Sequence, residues 1–246
     1  MGIFDNFLTW ELSGEVMSSL IVITIVMVLY IIAGVMARFH DPLKPSRGLL
    51  FVAESLVNFF DRLVEDLMGK QFKGFGGYIM AVASYLFIAF IFGLTGLPSP
   101  VTYMAIPLSL GFTSFCMIHF TSMRYTKFKY FKRYIEPFPV FLPINLISMW
   151  APLLSLTLRL FGNALSGFVI MTLVYAGFNQ LSFAVIEGLG LNVIAPIPAA
   201  ILHCYFDLFS GLIQTTVFIF LTMILVSQEA PEEEEIEEEL IKRGGE

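Results

Sequence analysis

Two sets of polar side chains recur at helical spacing inside otherwise apolar sequence. Ser155, Arg159, Asn163 and Ser166 follow steps of four, four and three residues; His203, Asp207, Ser210 and Gln214 follow steps of four, three and four. Such steps place each set on one face of a helix. Serine, asparagine and glutamine at these positions either hydrogen-bond between helices or line a polar path. Arginine and aspartate demand more. A guanidinium keeps its proton, and a charge at the bilayer centre costs roughly 2.5 to 3.5 kcal/mol even on the lenient insertion scale, so ionisable residues inside spans line routes for ions or protons. Arg159 is the only positive charge between Arg133 and Lys242, and it is read as functional. Asp207 is either the titratable group of an ion path or the structural counter-ion of Arg159; a buried pair would leave no charge free to act on a passing ion. His203, one turn before Asp207, is either a packing histidine or a member of a proton relay. Glu187, in the Gly-containing link between the two stripes, reads first as a solvated loop acid and stays among the ion-path candidates.

The elements that carry these stripes belong in a bilayer. With 57% hydrophobic and 14% charged residues, 246 residues cannot cover a water-facing surface, so the chain is read as an all-α integral membrane protein forming a single domain over 1–246. Apolar runs at 16–37 and within 78–123 supply three spans of about 20 residues each. A longer stretch, 140–226, forms a hairpin of two apolar segments, each above 50 Å if continuous at ~1.5 Å per residue, which must tilt strongly, bend or break to fit a core of ~30 Å. Pro152 is the natural kink site. Between the first two spans, residues 46–68 alternate Glu54, Asn58, Asp61, Arg62 and Glu65 with Leu50, Val57, Phe60, Val64 and Leu67. This predicts an amphipathic helix capped by Ser46, lying in the membrane interface or packed on the protein's own spans.

Asp5, Glu11 and Glu15 replace the basic start of a cleavable signal, so the first run is read as a retained span. Cys116 and Cys204 lie in apolar segments and are expected to be small buried hydrophobes. Arg38, Lys44, Arg47, Arg62, Lys70 and Lys73 fall in the first connection, and Arg124, Lys127, Lys129, Lys132 and Arg133 follow the third span. By the positive-inside rule these connections are cytoplasmic, which places the N-terminus outside and the C-terminus inside. The acidic stretch within 228–246 reads as a solvated cytoplasmic tail. No phosphate-binding loop, HExxH, dinucleotide fingerprint or Cys/His metal spacing occurs, so no cofactor, metal or nucleic acid is indicated.

At "LSLTLRLFGNALSG" the chain resembles subunit a of the F-type ATP synthases, the membrane stator that faces a rotating c-ring. Arg159, Phe161, Gly162 and Asn163 carry the likeness, and "EPFPVFLPINLIS" and "GLIQTTVFIFLTMIL" extend it on either side. The resemblance implies a non-catalytic ion-translocating subunit that couples proton or sodium flow to ring rotation through two offset half-channels. Arg159 would be the essential arginine facing the c-subunit carboxylates; Asn163 and Gln214 would line that interface, and Asp207 would fall on the proton path. Ser166 and Ser210 complete the candidate path with His203. The implied partners are c-ring subunits, the peripheral-stalk subunit b, other synthase subunits and membrane lipids, in the bacterial inner (plasma) membrane or, alternatively, the mitochondrial inner membrane. Two family proton carriers are missing: Phe168 stands where many members have Glu or His, and Asn145, Ser148 and Met149 occupy the region of another acid. The alternative from a different class is a secondary transporter whose intramembrane arginine binds an anionic substrate, although no internal repeat supports it.

Overall fold

The computed structural model describes residues 13–41, 45–126, 142–185 and 196–231. Every regular element among them is helical: α1 (Gly14–Phe39), α2 (Leu49–Met68), α3 (Gly76–Ile91) continued by a 3-10 turn (Phe92–Thr95), α4 (Ala105–Thr126), α5 (Leu142–Val185), α6 (Pro196–His203), a π-helical turn (Cys204–Ser210) and α7 (Gly211–Ser227). Five stretches are long and apolar enough to cross a membrane: Gly14–Phe39, Gly76–Thr95, Ala105–Tyr125, Ile147–Gln180 and Pro198–Ser227. In a bilayer a spanning backbone must satisfy its own hydrogen bonds, which helices do. The expected all-α membrane fold is therefore the observed one.

α5 is longer than its sequence pattern indicates. Its 44 residues continue past the apolar run to Val185, and at ~1.5 Å per residue they exceed a ~30 Å hydrocarbon core about twofold. Pro152 lies inside the helix without ending it; one lost amide hydrogen bond is outweighed by the turns on either side. The last span is continuous by a different route. α6 passes into α7 through the π turn, which inserts extra backbone per turn and re-aims the side chains around it.

α2 begins at Leu49 rather than at Ser46. Gly48 stands at its N-cap with φ 64°, a left-handed conformation that favours glycine, and no side chain caps the helix. Leu50, Val64 and Met68 are buried on the protein. Val52, Leu56 and Phe59 are exposed on another apolar face, while Glu54, Asp61 and Glu65 occupy a third. The Asp61 carboxylate lies against Gly76, the first residue of α3, where a negative charge complements the helix dipole.

Two compact units divide the chain. Unit 1 comprises Met1–Val28, Ser84–Pro107 and Arg159–Thr215. Within it, Ser19 Oγ and Tyr85 OH share a hydrogen bond of 2.8 Å, and a Cβ at Gly211 would lie only 2.6 Å from the Phe90 Cβ, so glycine sets the close packing of α7 on α3. Unit 2 comprises Leu29–Ala83, Leu108–Leu158 and Thr216–Glu246. Here Tyr30 OH donates to the Met80 carbonyl at 3.1 Å, Ser114 and Thr222 share a buried hydroxyl pair at 3.2 Å, Gly111 leaves room for Thr157, and Phe115 stacks on Trp150 at 5.1 Å. Every described Lys and Arg except Arg159 falls in unit 2.

The cysteine expectation is corrected. Cys116 and Cys204 are both exposed. An apolar segment crossing a bilayer turns one face to lipid or to another subunit, so apolar surroundings in sequence do not entail burial within the chain. α1 makes the same point, with Leu20, Ile23, Met27 and Ile31 all exposed.

Candidate functional site

The two polar stripes meet in unit 1. On α5, Asn163 Nδ2 donates to Ser210 Oγ at 2.9 Å, and the Ser210 hydroxyl lies 3.2 Å from Asn163 Oδ1. The pair ties α5 to the π turn. Further along the same helices, His203 Nδ1 lies 2.6 Å from Asp207 Oδ2, and Tyr175 OH lies 3.1 Å from His203 Nε2. The imidazole thus bridges a carboxylate and a phenol. Between these two groups Gly167 accepts Phe206 at ordinary contact distance, so α5 and the final span approach closely over this length.

A cavity of about 580 Å³ opens along this wall, with Asn163, Tyr175, His203 and Asp207 on one side and Gly93, Ser99 and Thr102 among the residues opposite. His203 and Asp207 keep 28% and 21% of their side-chain surface exposed, and both line the cavity. Asp207 is shaped by a second element: a Cβ on Gly93, in the 3-10 turn after α3, would sit 3.3 Å from its carboxylate. Glycine there makes the space that the acid occupies. The hydroxyls of Ser99, Thr102 and Thr172 donate to backbone carbonyls.

Arg159 is exposed on α5, beside Leu158, which is 52% exposed, and near Leu165. It is the only charged residue of the helix. The opposite face, with Leu153, Leu156, Thr157 and Leu160, is buried. A Cβ at Gly162, one turn from Arg159, would meet nothing within 4 Å. The arginine therefore stands on an exposed face of α5 that also carries Ser155, Gly162 and Ser166.

The other sequence candidates fall apart from this wall. Ser166 turns its hydroxyl back to the Asn163 carbonyl of its own helix at 2.9 Å. Gln214 is buried, 7% exposed, and its Nε2 has no hydrogen-bond partner. Phe168 lines the cavity and is largely exposed; Ser148 is exposed on α5. Glu187 lies outside the described residues, as does the acidic tail beyond Pro231. Sequence reasoning missed Tyr175, Gly93 and the π turn. Tyr175 was visible in one respect, because Asn163, Gly167, Met171 and Tyr175 follow steps of four on α5 and all line the cavity.

Long apolar helices with an arginine and a hydrogen-bonded acid inside them define an integral membrane protein that handles ions. Residues 16–227 match the family model described as ATP synthase A chain. The chain belongs to this family. Its relatives include the ATP synthase subunit a of Mycoplasmoides gallisepticum, 31% identical over 232 residues that cover 84% of this chain and 77% of the relative. The Staphylococcus aureus subunit a is 30% identical over 234 residues, covering 88% and 91%. A sodium-ion-specific subunit a from Propionigenium modestum is 29% identical over 211 residues, covering 79% and 67%.

Proposed function

We propose that this chain is the ion-translocating stator subunit of a bacterial ATP synthase, set in the plasma membrane against a ring of c subunits and held by the peripheral-stalk subunit b. Family membership favours this over a secondary transporter. The observation that carries the role of Arg159 is its position: one guanidinium, the single charged residue of a 44-residue apolar helix, on an exposed face. A c-subunit carboxylate moving through lipid stays protonated, because an isolated carboxylate in hydrocarbon is prohibitively costly. Opposite Arg159 it can ionise, releasing its proton to one half-channel and regaining one from the other after the ring has turned. The fixed positive charge also blocks direct ion flow between the half-channels.

The cavity beside His203 and Asp207 forms the outer half-channel. It is lined by the connection after α3, which the distribution of Lys and Arg assigns to the outer side. Asn163 and Ser210 continue this wall toward Arg159, and the antiparallel register of the two helices carries on toward Gln214. α2 lies in the cytoplasmic interface, its buried face on the protein and Val52, Leu56 and Phe59 in lipid. The family includes a sodium-specific member, so membership alone leaves the ion open.

Cross-linking in the assembled complex tests the docking face. With Cys116 and Cys204 replaced by serine, Gly162→Cys is expected to cross-link to a cysteine placed one turn from the c-subunit carboxylate. A cysteine in place of Ile31, exposed on α1, is expected not to do so. The reverse pattern would remove Arg159 from the ring interface.

A further inference from the structure

We propose that the groove between the end of α1 and the start of α2 is a binding site for an anionic phospholipid of the cytoplasmic leaflet, its phosphate held by Arg47 and His40 and an acyl chain laid along α1. The proposal rests on the placement of α2 in the cytoplasmic interface and adds a ligand, a site and the residues that hold it.

The groove lies wholly within unit 2 and has a volume of about 590 Å³. Two kinds of side chain line it. Met36 and Phe39 from α1, with Pro45 and Leu50, form an apolar wall; His40 and Arg47 supply hydrogen-bond donors. A guanidinium is permanently charged and presents a planar fork that fits a phosphate in a bidentate way. Arg38, exposed in the last turn of α1, adds a second fixed charge two residues from His40. Asp41 is the one acid among the described residues of 38–48, and it does not line the groove. The first turn of α2 brings no acid to oppose an anion and no side chain caps it, so the positive end of its dipole supplements the attraction of Arg47.

An anion for this groove has three sources: a solute, the acidic tail of the chain itself, or a lipid headgroup. The apolar half of the groove decides among them. Phe39 is 84% exposed, and Ile32 and Met36, both exposed, continue its stripe back along α1 at steps of four and three. An aqueous phosphate gains nothing from such a wall, and a run of glutamates would have to leave water to lie against it. A diacyl lipid uses both halves. Its headgroup meets the basic end, and its acyl chain follows the stripe into hydrocarbon, since α1 is itself long and apolar enough to span a membrane. Basic pockets between membrane helices on the cytoplasmic side take lipid phosphates in this way, aided by the negative surface potential of the inner leaflet. An anionic headgroup is favoured over a zwitterionic one, because the latter brings an ammonium group toward Arg38 and Arg47. A headgroup so held ties the end of α1 to the start of α2.

Photo-cross-linking in the intact complex tests the site. Inverted membrane vesicles expose the cytoplasmic leaflet, into which a phosphatidylglycerol probe with a diazirine on its acyl chain is introduced, and labelled peptides are read by mass spectrometry. The probe is expected to label residues 32–50, to be displaced by unlabelled phosphatidylglycerol, and to be left in place by phosphatidylcholine or inorganic phosphate. Absence of labelling there, with labelling elsewhere on α1, overturns the site. Equal displacement by phosphatidylcholine overturns the preference for an anion, and displacement by inorganic phosphate overturns the lipid as occupant. Arg47→Gln is expected to lower labelling of 32–50 about fivefold, the worth of one basic residue at an anionic surface, while labelling around Ile23, mid-span on α1, stays the same and Arg47→Lys keeps most of the signal. Undiminished labelling in Arg47→Gln overturns the role of the arginine; if that variant assembles poorly, the competition in the unsubstituted complex still decides. Changing Glu232, Glu233, Glu234 and Glu235 to glutamine is expected to leave labelling unchanged, and a several-fold rise would give the groove to the tail. Labelling only from a probe placed in the opposite leaflet would overturn the interface placement of α2, a failure that the headgroup competition does not share.

Discussion

The two units treat polarity inside apolar helices in opposite ways. In unit 2, Ser114 and Thr222 share a hydroxyl pair sealed in the core, and Thr157 packs against Gly111 at 1% exposure. In unit 1, Asn163, His203 and Asp207 are amide-bearing or ionisable, hydrogen-bonded, and open to a cavity. Hydroxyl pairs between membrane helices contribute about 0.6 kcal/mol on average, so the first arrangement fastens helices. A part-exposed carboxylate and imidazole are expensive to keep in a bilayer and useful chiefly for moving charge. Polar content alone does not mark a path. Exposure and the ability to titrate do.

This contrast can be broken by substitution on either side. The largest effect is expected from Asp207→Asn combined with His203→Ala, which should lower ATP-driven proton pumping by about 100-fold, the scale of losing a proton-transfer group. Unchanged pumping would remove both residues from the path. Gly93→Ala should cost roughly tenfold, because the added methyl group at 3.3 Å displaces the Asp207 carboxylate; pumping at the original rate would mean that the acid tolerates movement. The smallest effect is expected in unit 2, where Ser114→Ala with Thr222→Val should lower thermal stability by about 0.6 kcal/mol and leave pumping per assembled complex intact. A coupling defect there, measured by proton pumping against ATP hydrolysis, would erase the distinction between the units.

The sequence made the membrane fold readable because hydropathy is a one-dimensional property: spans of about 20 apolar residues can be located without knowing their neighbours. Arg159 was equally legible, since a single guanidinium in an apolar run is conspicuous from the sequence itself. The i, i+4 spacing put His203 and Asp207 on one face but left open whether they pair. The contact of Tyr175 with His203 was not legible, because the two lie 28 residues apart on different helices, and a tyrosine in an apolar run is ordinarily read as interfacial or core. The π turn left no mark either, since periodicity drawn on an ideal helix cannot register an inserted backbone position. The burial expected for Cys116 and Cys204 failed because hydrophobicity identifies the medium, and here the medium lies outside the chain as well as inside it. Gly48 displaced Ser46 at the start of α2 because a residue at positive φ can turn the chain where a serine cap would not.

Arg159 remains the charge on which the account turns, and coupled ATP synthesis by the complete complex carrying Arg159→Ala tests it most directly. Synthesis driven by an imposed proton gradient is expected to vanish while the complex still assembles, because a ring carboxylate then has no fixed charge opposite which to ionise. Synthesis at a rate near that of the unsubstituted complex would contradict the account, since the ion path would then run without its arginine.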